Sequence, residues 1–259
     1  MPVWAMNCVP MAEVLAGFSD DGFLGGRLVL RQPRQGHRAG HDAMVLAGST
    51  AANPGDRVVE FGAGVGAAGL ALATRVAGLD LVLVEIDPAL TQLAQHNAVS
   101  NGIAAHGIVL DVAASAEIFA AAGLVPDSTD AVLMNPPFNN AAQHRASPDK
   151  GRAVAHVANP MTLADWVHAA RRILKSGGAL TMIWRADGLA EILATLDRGF
   201  GSVVIQPVHA TPDGAAIRVL LRAVKGGRAP LRLFPALILT SSDVKSALLN
   251  ATALPLAKV

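Results

Sequence analysis

The segment RVVEFGAGVG, at residues 57–66, joins a short apolar run to a turn with glycine at every second position. Residues 57–61 predict a buried strand, and the small residues of 65–77 predict a helix that packs closely on a sheet. A glycine-rich turn between a strand and a helix lets the backbone approach a ligand and directs N–H groups at it. The segment therefore predicts the start of an α/β domain that binds a ligand at this turn.

Strand and helix patterns alternate along the rest of the chain. Asp87-Pro88 begins a helix, with Asp as N-cap and Pro at the first position, and Asn101-Gly102 ends it. Further strands are predicted at 79–85, 106–110, 131–134 and 179–184, further helices at 114–122, 163–175 and 187–198, and a last pair of strands at 202–209 and 216–224. The last pair flanks Pro212-Asp213-Gly214, which is typical of a hairpin. The predicted fold is α/β: a doubly wound, Rossmann-like sheet, mostly parallel, with an antiparallel C-terminal hairpin.

The composition suits one large domain without membrane segments. The 259 residues are 52% hydrophobic and 16% charged, which is ample for a sizeable core. Cys8 is the only cysteine, so no disulfide can form within the chain, and a cytoplasmic location is expected. The first 30 residues lack a signal-peptide pattern, and the uncharged stretch 61–74 is too short to span a bilayer.

Basic residues are unevenly distributed, although the net charge is only +1. Two segments without acids, 22–40 and 217–242, hold Arg27, Arg31, Arg34, Arg38, Arg218, Arg222, Lys225, Arg228 and Arg232. Such segments on either side of a catalytic core would suit phosphate contacts. The alternative is that these residues form ordinary solvated surfaces.

The tetrad Asn135-Pro136-Pro137-Phe138 follows the apolar run 131–134, at the end of a predicted strand. An amine conjugated to a ring is a poor nucleophile, because its lone pair is delocalised. The Asn135 side-chain oxygen and the Pro136 carbonyl could accept both N–H groups of such an amine and turn its lone pair towards a methyl donor. The two prolines fix φ, and Phe138 offers a face for stacking. The alternative is an ordinary Pro-Pro turn.

The glycine turn and the tetrad together resemble the S-adenosylmethionine (SAM)-dependent amino-methyltransferases. Gly62 and Gly64, with Ala67, also match the dinucleotide fingerprint, so NAD is the alternative cofactor. The tetrad favours SAM, because nicotinamide enzymes do not need it. The resemblance implies a class I methyltransferase fold and a SAM site that includes Glu60 near the methionine part, Gly62, Gly64 and Gly66 at the turn, Glu85 on the ribose and Asp111 near the adenine. For Asp111 the alternative is a helix N-cap.

Three segments narrow the resemblance to the bacterial tRNA(Val) (adenine-N6)-methyltransferase family. They are residues 21–43, which include Gly36-His37-Arg38-Ala39-Gly40-His41-Asp42, the turn 60–66 with Glu85, and the tetrad with the basic loop 147–152. The resemblance covers about residues 20 to 235. It implies that Gly40, His41 and Asp42 lie beside the cofactor and that the substrate is an adenine next to the anticodon. No metal site is expected, because Gly36 and Gly40 argue against a helix that presents His37 and His41 together.

The sequence thus predicts an N-methyltransferase in which Asn135, Pro136, Pro137 and Phe138 form the catalytic site. We expect an N-terminal extension over the cofactor site at 1–45, the methyltransferase domain at 46–225 and a basic, apolar extension at 226–259. RNA is the expected partner, through Arg27, Arg31, Arg34, Arg38, Lys150, Arg152 and the segment 218–232. The alternatives are protein glutamine N5, rRNA guanine N2 or DNA adenine N6 methylation, a non-catalytic SAM-binding module, and a nicotinamide reductase. The family often has Tyr in place of Phe138, which leaves the substrate less certain than the chemistry.

Overall fold

The computed structural model describes residues 17–36, 38–137, 163–196 and 198–259. Its strands are β1 (Phe18–Phe23), β2 (Leu28–Pro33), β3 (Arg57–Phe61), β4 (Asp80–Glu85), β5 (Ala105–Val109), β6 (Thr129–Met134), β7 (Leu174–Arg185), β8 (Phe200–His209), β9 (Ala216–Lys225), β10 (Arg232–Leu233) and β11 (Leu237–Ile238). Its α-helices are α1 (His41–Ser49), α2 (Ala67–Arg75), α3 (Pro88–Ser100), α4 (Ala116–Ala121), α5 (Leu163–Ile173), α6 (Leu189–Thr195) and α7 (Ser242–Leu249).

The central sheet has nine strands in the order β10-β8-β9-β7-β6-β3-β4-β5, and β11 also pairs with β8. Strands β5, β4, β3, β6 and β7 are parallel, whereas β9 runs antiparallel to both β7 and β8. This confirms the predicted doubly wound sheet with its antiparallel hairpin. The strand order reverses at β3, and such a reversal opens a crevice at the carboxyl ends of the strands, where ligands bind.

Helices cover both faces of the sheet. Alternate residues of β3 show this, because Val58 packs with α1, α2 and α3 on one face, while Val59 and Phe61 pack with α4, α5 and α6 on the other. All three side chains are fully buried. A strand that is covered on both faces has no solvent-exposed face, so its sequence is a continuous apolar run.

Amide side chains of α3 bind the open edges of two strands. Asn97 accepts the Arg31 N–H (2.8 Å) and donates to the Arg31 carbonyl (3.1 Å), and Asn101 does the same for Val29 (2.9 and 2.7 Å). On the other side of the helix, Gln95 binds the carbonyl of Ala105 (3.0 Å) and the N–H of Gly107 (2.9 Å) in β5. Each amide side chain therefore makes the two backbone hydrogen bonds that a neighbouring strand would make. Through Asn97 and Asn101, α3 and its C-cap hold the β1–β2 hairpin in place.

The two ends of the described chain contribute more regular structure than the sequence predicts. Helix α1 crosses the expected boundary at residue 45, and all of its residues from Met44 to Ser49 are buried. The sequence predicts one added strand near residues 231–234, and the structure has β10 there, followed by β11 and α7. Arg27 donates to the last carbonyl of α7, at Leu249 (3.1 Å), and so joins the two ends.

We expect Asn97→Ala to lower the free energy of unfolding by about 2–4 kcal/mol. Asn97 is 1% exposed and also donates to the Val65 carbonyl in the glycine turn (3.0 Å), so its loss leaves several backbone groups unpaired at about 1–3 kcal/mol each. Urea denaturation measures the change. The control is Asn250→Ala, because Asn250 is exposed, donates to Ser246 within its own helix turn and otherwise accepts only a long, exposed hydrogen bond from Arg27 (3.5 Å). Equal losses in both variants would contradict this role for Asn97.

Candidate active site

Three strand ends bring the predicted site residues together. The glycine turn follows β3, Glu85 ends β4 and Asn135 follows β6. These strands are immediate neighbours, since Phe61 of β3 pairs with Val84 of β4 and with Met134 of β6. The predicted cofactor turn and the predicted tetrad therefore share one crevice at the carboxyl edge of the sheet.

The glycines of the turn are required by its backbone. Gly62, Gly64 and Gly66 have φ angles of 65°, 55° and 84°, in the left-handed region that glycine adopts without strain. A Cβ on Gly62 would also lie 2.6 Å from the ring of Trp166, which packs edge-on against Phe61. At Gly64 nothing lies within 4 Å of such a Cβ, so the turn faces open space there. That space is where a ligand can approach the backbone.

Glu60 points at the first turn of α2. Gly66, the N-cap of this helix, has no side chain, and the Glu60 Oε2 accepts the Gly69 N–H instead (2.7 Å). Burial raises the pKa of Glu60 to about 8, against the opposite effect of the Gly69 and Ala68 N–H groups, and the charge of Glu85 adds to the rise. Glu60 is therefore mostly protonated at neutral pH. Its predicted contact with the methionine part of SAM stays a prediction.

Glu85 holds the turn from the other side. Its Oε2 accepts the Gly64 N–H (2.8 Å), and its Oε1 accepts the N–H groups of Ile86 (2.9 Å) and Asp87 (3.0 Å). A carboxylate has about four acceptor positions, so one remains on Oε2. A ribose hydroxyl could donate to it, which fits the predicted role.

Asp111 follows β5 and is exposed. Its Oδ1 accepts the Ala113 N–H (2.8 Å) and so closes a short turn. Helix α4 begins later, with Ser115 as its N-cap, so the alternative assignment of Asp111 as a helix cap is wrong. The carboxylate remains at the strand end, where an adenine amine could reach it.

Gly40, His41 and Asp42 form the start of α1, with Gly40 as the N-cap. Asp42 pairs with Arg218 of β9 (2.8 Å), a partner that no sequence pattern indicates. The segment before them is fixed by Gln32, which accepts the Ala39 N–H (2.7 Å), and by Arg38, which pairs with Asp21. His37 lies outside the described residues. The contacts of Gly40, His41 and Asp42 with the cofactor stay predictions.

The described part of the tetrad presents an unused acceptor. The Oδ1 atom of Asn135 is buried and has no hydrogen-bond partner among the described residues, while Pro136 is buried and Pro137 is exposed. Phe138, the predicted loop 139–160, Lys150 and Arg152 lie outside the described residues. Buried side-chain oxygens are nearly always hydrogen-bonded, so a hydrogen-bond donor is expected beside the Asn135 oxygen.

Most of the cations in the two basic segments already have partners. Arg31 pairs with Asp20 (2.9 Å), Arg38 with Asp21, Arg218 with Asp42 and Lys225 with Asp127 (2.8 Å), while Arg27 caps α7. The partner acids all lie outside the two segments, so counting charges within the segments overstates their free positive charge. The side chains of Arg34, Arg222 and Arg228 make no hydrogen bond or ion pair with described residues, and Arg232 lies over the ring of Phe234.

Residues 41–207 match the family model described as the methyltransferase small domain. The chain belongs to this methyltransferase family. The structure of a protein from Agrobacterium tumefaciens, Atu636, named a predicted O-methyltransferase, is 30% identical with a TM-score of 0.68. The match covers 82% of this chain and 97% of that one. The protein is thus an enzyme, and its cofactor is SAM rather than NAD.

More distant structures share the fold. The 16S rRNA N2 methyltransferase RsmC of Thermus thermophilus, solved with AdoMet and guanosine, is 20% identical with a TM-score of 0.52, over 80% of this chain and 50% of that one. A SAM-dependent O-methyltransferase of Thermotoga maritima is 18% identical with a TM-score of 0.51, over 76% and 69%. No curated protein sequence matches the chain.

The described helices include none that is both long and apolar enough to cross a bilayer. Over the same residues, no group of three or more His, Cys, Asp or Glu side chains is arranged to hold a metal ion.

We expect Glu60→Gln to change how stability depends on pH. The folded pKa of about 8 exceeds the ordinary 4.5, so the contribution of the protonated carboxyl is complete below pH 4.5 and is lost as pH rises through 8. The wild type should therefore lose a few kcal/mol between pH 5 and 9 that the variant, which does not titrate, keeps. Melting temperatures of both proteins across this range measure the effect. Parallel curves would contradict the buried, protonated carboxyl.

We expect Gly62→Ala to lower both stability and SAM affinity. The added methyl group must displace Trp166, and an alanine must hold the positive φ of residue 62. The loss of stability should be about 2–4 kcal/mol. Gly102→Ala is the control, since Gly102 has a similar φ of 66° with nothing within 4 Å of its Cβ, and should cost only about 1 kcal/mol. Thermal unfolding and calorimetric titration with SAM measure the two effects. A SAM affinity equal to wild type in Gly62→Ala would contradict the place of this turn in the cofactor site.

Proposed function

We propose that this enzyme transfers the methyl group of SAM to the N6 amine of an adenine in RNA, in a tRNA near the anticodon. The observation that carries the proposal is the buried Asn135 Oδ1, which has no partner among the described residues and follows β6 beside the cofactor turn. A buried acceptor without a hydrogen bond costs about 1–3 kcal/mol, so a group that donates to it is favoured there. The amine of adenine carries two N–H donors.

The role of the tetrad is to position and orient the amine. Asn135 Oδ1 accepts one N–H and the Pro136 carbonyl accepts the other, so that the nitrogen lone pair turns out of the ring plane. Bound SAM would supply the activated methyl group and keep the electron pair of the carbon–sulfur bond that breaks. The Asn135 and Pro136 acceptors would direct the amine lone pair at that methyl carbon, and the surplus amine proton would leave to water. Because the reacting atoms need only be aligned, positioning can account for a large part of the rate.

The choice of an amine over a hydroxyl rests on the number of donors. The Agrobacterium protein carries the name of an O-methyltransferase, whereas RsmC acts on the N2 amine of a guanine in rRNA. A hydroxyl has one donor and would satisfy only one of the two acceptors at Asn135 and Pro136, whereas an amine satisfies both. The choice of RNA and of adenine rests on the three sequence segments that resemble the tRNA(Val) (adenine-N6)-methyltransferases.

One labelling experiment tests the proposal. The enzyme is incubated with radiolabelled SAM and with small RNA, DNA or total protein from cells that lack it, and the products are hydrolysed and separated. Label in N6-methyladenosine from tRNA is the expected result. Label in N2-methylguanosine, N6-methyldeoxyadenosine, N5-methylglutamine or a methyl ether would assign the site to a different acceptor and overturn the proposal.

We expect Asn135→Ala to reduce kcat by at least about 100-fold while the Kd for SAM stays near wild type. The reason is that the acceptor for the amine is lost, whereas the cofactor turn is untouched. Asn135→Asp is the matched variant, because it keeps an oxygen in the same place and should retain more activity than the alanine variant. Single-turnover rates and SAM titration separate the two effects. A parallel loss of SAM binding and activity in Asn135→Ala would refute the role assigned to Asn135.

A further inference from the structure

Four arginines that form no ion pair with any described residue lie beside β8, near the edge of the sheet opposite β5. We call Arg198, Arg222, Arg228 and Arg232 the β8 basic edge. Arg222 in β9 and Arg232 in β10 both pair in register with Val204 of β8, one on each side. Residues in register point to the same face, so the two side chains share a face, with their Cα atoms about 10 Å apart.

The other two arginines lie at the lower end of the same strand. Arg198 precedes Gly199, whose carbonyl accepts the Gly226 N–H (2.9 Å), and Arg228 precedes Ala229, whose N–H binds the Ser202 hydroxyl (3.0 Å). Both side chains are exposed. Arg198 and Arg228 thus flank the start of β8, and Arg222 and Arg232 flank its middle.

Arg222 is a cation in an unfavourable environment. Its Nε atom is buried and has no hydrogen-bond partner, and it forms no ion pair with any described residue. Burial, together with the charge of Arg232, lowers the pKa of Arg222. A guanidinium held partly out of water beside a second cation is stabilised by an anion that contacts both.

The chain supplies little negative charge to this region. Residues 198–242 contain six arginines and lysines and a single acid, Asp213, which lies in the β8–β9 turn at the far end of β8. The two remaining cations of this stretch, Arg218 and Lys225, pair with acids from α1 and from the loop before β6. Among the described residues, two of the six cations thus have an acidic partner, and the four of the β8 basic edge have none.

We propose that the β8 basic edge binds the phosphate backbone of the substrate RNA away from the methylated base. Arg232 lies four strands from β6, which carries Asn135, and strands are about 4.8 Å apart, so the distance is about 20 Å. A single nucleotide cannot span it, whereas a folded stem and loop can. The proposal rests on RNA as the substrate and adds which surface holds it.

The test compares the double variant Arg228→Ser/Arg232→Ser with the wild type, using small RNA from cells that lack the enzyme. Each lost phosphate contact should reduce the slope of log K against log salt by about 0.7–0.9. The double variant should therefore bind about 10-fold more weakly near physiological salt, with a raised KM for RNA and an unchanged kcat. Arg228→Lys/Arg232→Lys should restore most of the binding, since a phosphate is attracted to either cation.

Lys225→Gln is the control, because it removes a cation of the same stretch that Asp127 already neutralises, and it should change the salt slope little. A short adenine-containing oligonucleotide is the second control, because it cannot reach the edge and should have the same KM with every variant. If the enzyme methylates RNA but the double variant keeps the wild-type salt slope and KM, RNA binding by the β8 basic edge is refuted and the proposed function stands. If wild-type enzyme puts no label into RNA, the proposed function fails and the role of the edge fails with it.

Discussion

Two acidic side chains support the Gly62–Gly66 turn and the start of the helix that follows it, and the candidate active site depends on this arrangement. Glu60 lies beneath the turn and caps α2, while Glu85 reaches across from β4 and binds the Gly64 N–H. Backbone carbonyls accept the N–H groups of Ala63 and Gly66, and the Glu85 side chain accepts that of Gly64. Because Glu60 and Glu85 both come from strands of the sheet, the turn keeps its shape before any cofactor arrives. Preorganisation of this kind reduces the entropy that binding must overcome.

The parallel sheet could be predicted from the sequence because strands that are buried on both faces consist of continuous apolar runs. The strands β3, β4 and β6 are apolar runs, and α3 carries its own start and stop signals at Asp87 and Asn101. The β1–β2 hairpin shows no such sequence pattern. It is held by the side chains of Asn97 and Asn101, which lie 66 and 72 residues away along the chain from the backbone groups that they bind. The same holds for α7, whose end is capped by Arg27 from the opposite end of the described chain.

The structure brings predicted site residues to one edge of the sheet, but their contacts could be predicted only in part. Glu85 and Asn135 lie at the ends of the two strands that flank β3, as the order of strands requires. The sequence could not show that Glu60 caps a helix, because this depends on how α2 packs beside β3 and brings the Gly69 N–H to the Glu60 side chain. It also could not show which arginines are free. Arg218 and Arg222 are neighbours on one strand with similar surroundings in sequence, yet one has Asp42 opposite and the other has no acid, and only the packing of α1 on β9 decides between them.

The asparagine contacts of α3 also bear on how the chain folds as it is made. During synthesis β1 and β2 leave the ribosome before α3, since the side chains that secure them follow 66 and 72 residues later. An isolated two-stranded hairpin is marginal in water, so this segment has no stable arrangement of its own until α3 has formed beside it. The hairpin is therefore made before α3 but fixed after it. Since Asn97 also binds Val65 in the glycine turn, the packing of α3 fixes the hairpin and supports this turn together.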